Sequence, residues 1–93
     1  MTTHVTITLP TALREFSPPD GEVHVPGPID VGRLLDAIRN ENPKVYSRLI
    51  SDSGKLRPFA NIYINGTSHR TLPDDFPVDS TASVKIVMAI AGG

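Results

Sequence analysis

Val84-Lys85-Ile86-Val87-Met88-Ala89-Ile90-Ala91-Gly92-Gly93 is the stretch from which the rest of the chain is best read. Val84 to Met88 alternates as a strand does, and its outward positions include Val87, so the strand is apolar on both sides. Strands of that kind belong in the middle of a sheet. Small residues and two glycines follow. Gly92 and Gly93 lack a Cβ, so this backbone can enter a passage too narrow for other residues. The five residues from Ala89 reach roughly 17 Å when extended. A terminal carboxylate is ionised at neutral pH and is a poor electrophile. To react it must first be activated, most simply as an acyl adenylate. The contrary expectation is a frayed terminus that happens to end in glycine.

Working back, Val5, Ile7 and Leu9 alternate with Thr6 and Thr8 and predict a first strand ended by Pro10. Leu13 and Phe16 interrupt a polar link, and Pro18-Pro19-Asp20-Gly21 marks a turn. Glu22 to Val25 predicts a second strand antiparallel to the first, stopped by Pro26-Gly27-Pro28. One helix follows, with Asp30 as N-cap, Ile29 and Leu34 as a hydrophobic staple, and Val31, Leu34, Leu35 and Ile38 as its buried stripe. Arg33, Asp36, Arg39 and Asn40 fall on its wet side. Pro43 closes it and opens a second helical turn through Val45, Tyr46, Leu49 and Ile50. Phe59 to Ile64 predicts a third strand, Asn65-Gly66 a type I′ hairpin, and Thr67 to Thr71 the returning edge strand. Leu72 to Ser83 is a crossover anchored by Leu72, Phe76 and Val78.

The order β, β, α, β, β, β predicts an α+β protein. A hairpin cannot cover its own apolar face, so the helix after it supplies the cover. The last strand fits beside the first, in parallel, between the two hairpins. This is a β-grasp, ubiquitin-like fold with a mixed sheet and one main helix on one face. Residues 1–93 read as a single domain with a flexible tail at 89–93, without internal repeat.

Composition narrows the function. The 93 residues include no cysteine, which excludes disulfides, thiolate metal sites and a cysteine nucleophile. A net charge of −1 argues against a nucleic-acid footprint. No apolar run is long enough to span a membrane and no signal peptide is evident, so a cytoplasmic location is expected. His4, His24 and His69 show no carboxylate or second histidine at metal-ligand spacing, and no metal site is expected. Asp52 and Asp74-Asp75 fall in turns, where aspartate serves the backbone. No phosphate-binding glycine loop or nucleophile motif is present, so the chain is not expected to be an enzyme.

Phe59-Ala60-Asn61-Ile62-Tyr63-Ile64-Asn65-Gly66, with Val84-Lys85-Ile86-Val87 and the final Ala91-Gly92-Gly93, resembles the bacterial ubiquitin-like sulfur carriers. These include the small subunit of molybdopterin synthase, the thiamine-pathway carrier and the carrier for actinobacterial cysteine synthesis. The Phe-x-Asn-Ile-Tyr-x-Asn stretch is most similar to the last. The resemblance implies a protein co-substrate with no bound cofactor. An adenylyltransferase resembling ubiquitin-activating enzymes uses ATP and Mg²⁺ to activate Gly93. A sulfur donor converts the adenylate to a thiocarboxylate, which a sulfur-accepting synthase consumes. Gly93 is then the reacting residue, Gly92 clears the channel, and Ala91 contacts the partner. Many relatives have proline where Met88 stands, and acidic residues where Thr67-Ser68-His69-Arg70 stands. The expected assembly is a monomer or a hetero-complex. A molybdopterin-synthase subunit, a protein modifier and a plain binding module remain the competing expectations.

Alternation also assigns faces. With Val84, Ile86 and Met88 toward the helix, Lys85 and Val87 point away, as do Phe59, Asn61 and Tyr63. Phe59, Tyr63 and Val87 are therefore expected to form an apolar docking patch, with Arg57, Arg70 and Lys85 as a charged rim. The alternative is that the loop from Ser51 to Pro58 covers it.

Overall fold

The computed structural model describes residues 3–16 and 19–88. β1 (His4–Thr8) and β2 (Glu22–Pro26) pair antiparallel, with Val5 opposite Val25 and Ile7 opposite Val23. All four are buried. The link between these strands forms a 3-10 helix, Thr11–Phe16, whose Leu13 is buried in the core.

The two-residue strand β3 (Ile29–Asp30) leads into α1 (Val31–Glu41). Asp30 caps α1 as expected: its Oδ1 accepts from the Arg33 N–H at 2.9 Å. The helix buries Val31, Leu34, Ala37 and Ile38, while Leu35 is half-buried, so its inner stripe is turned toward Ala37. Asn42 ends one helix and starts the next. Its N–H donates to the Ile38 carbonyl at 2.8 Å, and its Oδ1 accepts from the Val45 N–H at 3.2 Å. With Pro43 at the first position, α2 (Pro43–Leu49) buries Val45 and Leu49.

β4 (Ala60–Ile64) turns through Asn65 (φ +52°) and Gly66 (φ +83°) into β5 (Thr67–Ser68). Two positive φ values are what a type I′ turn requires. The edge strand expected through Thr71 stops at Ser68, and His69–Thr71 is a 3-10 turn. The Ser68 Oγ accepts from the Arg70 N–H at 3.3 Å, and Thr71 Oγ1 donates to the Ser68 carbonyl at 2.8 Å. These local bonds hold the turn in place of the ladder.

In the crossover, Val78 is buried, and Leu72 and Phe76 pack against the core. The strand β6 (Pro77–Val78) pairs antiparallel with β3, forming a second, two-stranded sheet that periodicity does not reveal. The Val31 and Gly32 amides at the start of α1 donate to the carbonyls of Phe76 (3.1 Å) and Asp74 (2.8 Å). A Cβ on Gly32 would come within 3.2 Å of the Asp74 carbonyl, so glycine permits this approach.

β7 (Val84–Met88) completes a five-stranded sheet of order β2-β1-β7-β4-β5. It is parallel to β1 (Ile7 opposite Val84) and antiparallel to β4 (Ile62 opposite Ile86, Ala60 opposite Met88). This is the β-grasp that the element order predicts. Val5, Ile7, Ile62, Ile64, Val84 and Ile86 form one core cluster with Leu34, Ile38, Val45 and Leu49. Among the described residues no polar or charged side chain is buried. Burial of each large aliphatic chain stabilises the fold by about 1.5–3 kcal/mol.

Candidate functional site

The core pins one face of the sheet and thereby aims the other. Asn61 stands opposite Val87 and Tyr63 opposite Lys85, all on the side away from the helices. Val87 (47 % exposed) and Phe59 (43 %) are the large exposed hydrophobics among the described residues, and Tyr63 is half-buried. The loop from Ser51 to Pro58 does not cover this face. It is drawn back to α2 by Arg57 N–H to Leu49 carbonyl (2.9 Å), Ser51 N–H to Lys55 carbonyl (2.8 Å) and the bridge between Ile50 and Leu56.

The expected patch is nevertheless divided. Tyr63, Val87, Lys85, Gly66 and Ser83 line a shallow groove of about 200 Å³ on the open face. Phe59 lines a different one, of about 350 Å³, with Leu13, Arg48, Arg57 and Met88. Phe59 stands just before β4, where the sheet ends, and this turns it toward the 3-10 helix and α2. Met88 is the last described residue of β7, so the second groove lies at the root of the C-terminal tail. Ala91, Gly92 and Gly93, singled out as contact, channel and reacting residues, lie outside the described residues, as does the whole tail 89–93.

Asn61 and Arg70 are structural fasteners. Asn61 Oδ1 accepts from Ser68 Oγ at 2.9 Å and from the Ile62 N–H at 2.9 Å. Arg70 donates to the Ala60 carbonyl at 2.9 Å. His69 Nδ1 lies 3.2 Å from both the N and the O of Ile62. The His69 and Arg70 side chains occupy the β4 edge where β5 has already ended, which shields it from other strands.

Burial depresses the His69 pKa, and the neighbouring Arg70 charge adds to this, against an opposing bond to the Ile62 backbone. A histidine held below its unfolded value, about 6.5, stabilises the fold in its neutral form. That contribution is complete above the unfolded pKa and disappears as pH falls through the lower folded value. The urea midpoint should therefore fall as pH is lowered through and below about 6.5. His69→Gln should show a shallower decline. Parallel profiles for the two proteins would contradict this assignment.

The expectation that no carboxylate stands at metal-ligand spacing from a histidine is corrected at His24. Asp20, Glu22 and His24 bring their ligand atoms within 4.8 Å of one another. Spacing at i, i+2 and i+4 along the start of β2 puts them on one face, a period-two signal readable from the sequence. His24 Nε2 is 3.4 Å from Asp20 Oδ2 and 3.8 Å from Glu22 Oε1, while Nδ1 is 3.1 Å from Thr6 Oγ1. The Glu22 N–H, followed by His24, lowers the Asp20 pKa. This is an exposed ion-pair cluster on the edge strand farthest from β5. No helix among the described residues is long and apolar enough to cross a membrane.

Residues 7–93 match the model of the ThiS family. The chain belongs to the ThiS family. It is thus a ubiquitin-like carrier or modifier of ThiS type, and the β-grasp frame is the one such proteins use. CysO in the BexX/CysO complex of Amycolatopsis orientalis is similar, with 28% identity, a TM-score of 0.74, and coverage of 96% of this chain and 99% of that one. CysO of Mycobacterium tuberculosis is also 28% identical, with a TM-score of 0.74 over 92% of this chain and 99% of that one. SAMP1 of Haloferax volcanii, at 24% identity and a TM-score of 0.74, covers 97% of this chain and 99% of its own, and supports the fold. No curated protein sequence matches the chain.

Proposed function

We propose that this ThiS-family protein is a sulfur carrier that works through the carboxyl carbon of Gly93, with Gly93 the last residue of the carrier form. The observation that carries this reading is a ThiS match running through Gly92 and Gly93, directly beyond the central strand β7. A carboxylate oxygen of Gly93 attacks the α-phosphorus of ATP on the partner, and pyrophosphate leaves. A hydrosulfide sulfur then attacks the acyl carbon, the bond to AMP breaks, and a proton is lost to leave the thiocarboxylate. ATP and Mg²⁺ belong to the activating partner, an adenylyltransferase of ubiquitin-activating type. The protein itself acts as a co-substrate. The two CysO relatives favour cysteine or a related sulfur metabolite as the destination, reached through a sulfur-accepting synthase.

Tyr63 and Val87 form the docking face for the activating partner in this reading, and Phe59 docks from the separate groove at the tail root. The test is pyrophosphate release by the adenylyltransferase of the same cell, supplied with ATP, Mg²⁺ and the carrier. Tyr63→Ala and Val87→Asp are expected to raise the half-saturating carrier concentration by about tenfold or more, with native thermal midpoints. Release at wild-type half-saturation by both variants would remove these residues from the interface. Absence of carrier-dependent release with the wild type would overturn the function.

A further inference from the structure

Arginines gather around Met88 in a chain whose net charge is −1. Arg48 from α2 and Arg57 from the following loop line the groove that Met88 and Phe59 share, with Glu15 the one acid on that lining. Arg70 reaches the same corner from the 3-10 turn after β5. One of its terminal nitrogens donates to the carbonyls of Ala60 (2.9 Å) and Arg57 (3.4 Å), and Ala60 is the residue paired with Met88. Three separate elements thus bring arginines to the end of the sheet where Met88 stands. The Arg57 side chain is half-buried, and among the described residues it has no hydrogen bond or ion pair. A half-buried guanidinium has already given up part of its water, so a carboxylate that reaches it forms a strong charge-assisted bond.

In a sulfur carrier the body that approaches this corner is the enzyme that reacts with the tail. Met88 and Gly93 are separated by a chain that spans roughly 17 Å at most. A partner that reacts with the Gly93 carboxyl has to enclose that span, so the mouth of its channel rests on whatever encircles Met88. We propose that the Arg48–Arg57–Arg70 collar, with Phe59 as its apolar floor, docks onto a rim of aspartate and glutamate carboxylates at the mouth of the partner enzyme's active-site channel. Planar guanidinium groups suit carboxylates, which they bind through paired N–H donors. The phosphates of the bound nucleotide fit less well. They lie where the Gly93 carboxyl reacts, up to roughly 17 Å along the chain from Met88.

This proposal rests on the carrier reading, and one set of measurements separates the two. Binding of the full carrier to the adenylyltransferase of the same cell is measured by calorimetry at rising NaCl, alongside pyrophosphate release. Arg57→Glu is expected to weaken binding by about tenfold or more and to flatten its salt dependence. Arg57→Gln, which removes the charge without reversing it, is expected to weaken binding severalfold. Both should keep the wild-type thermal midpoint. Wild-type affinity and salt slope in both variants would overturn the collar, while continued pyrophosphate release would leave the carrier function intact. No release with the wild-type protein would overturn the carrier reading and the collar with it. Pyrophosphate shifting the Arg57 NMR signals of the isolated carrier, with no loss of enzyme affinity in Arg57→Glu, would reassign the collar as a phosphate site.

Discussion

Adding one residue after Gly93 should reduce thiocarboxylate formation by about 100-fold or more while leaving the thermal midpoint unchanged. An added residue moves the carboxyl by roughly 3.3 Å along an extended chain and puts a Cβ into a passage that two glycines keep narrow. Misplacing a reacting atom by as little as about 1 Å can cost on the order of 100-fold in rate. The fold should be indifferent, because among the described residues the buried core reaches no further along the chain than Ile86. The measurement is thiocarboxylate yield by intact mass, with a melting curve on the same sample. Undiminished sulfur loading would show that the terminal carboxyl is not the reacting group.

Ile62→Ala should do the reverse, weakening the fold without touching the chemistry. Ile62 is 1 % exposed, sits mid-strand in β4, and stands opposite Ile86 of the central strand. Truncation there removes the apolar surface and leaves a cavity that the packed neighbours only partly fill, at a cost of about 2–5 kcal/mol. A domain of this size holds about 5–15 kcal/mol in total, so the loss is a large share. Each kcal/mol lowers the midpoint by about 4–8 °C for a chain of this length. Val87→Ala, on the neighbouring strand but facing solvent, should change stability by no more than about 0.5 kcal/mol. Equal losses from the two would mean that the faces of the sheet have been assigned wrongly.

The sequence discloses those parts of the fold that follow from periodicity or from one residue's special chemistry. Val5/Ile7 and Val84/Ile86 identify buried strand faces because side chains alternate. Asn65-Gly66 identifies the hairpin because both positions need positive φ, Asp30 marks one helix start through its acceptor oxygen, and Pro43 marks the other through its fixed φ and missing N–H. Pairings only two residues long leave no such trace, which is why β3 and β6 escape notice. The end of β5 at Ser68 depends on hydroxyl-to-backbone bonds that no hydrophobic pattern encodes.

The site was less legible than the fold. Alternation correctly exposes Val87 and Phe59, but it cannot tell that Phe59, standing before the strand begins, belongs to another groove. Arg70 reads as a surface charge until its bond to the Ala60 carbonyl is visible. Asp20, Glu22 and His24 were readable, since period-two spacing applies to ligands as well as to apolar residues. Gly92 and Gly93, by contrast, carry their meaning in the sequence itself, through what they lack.

Intact mass spectrometry of the protein isolated from its own cell shows whether Gly93 carries sulfur. A population is expected in which one oxygen of the Gly93 carboxyl is replaced by sulfur, with fragmentation placing the substitution on that residue. Protein carrying an unmodified carboxyl under every growth condition that demands sulfur transfer would contradict it.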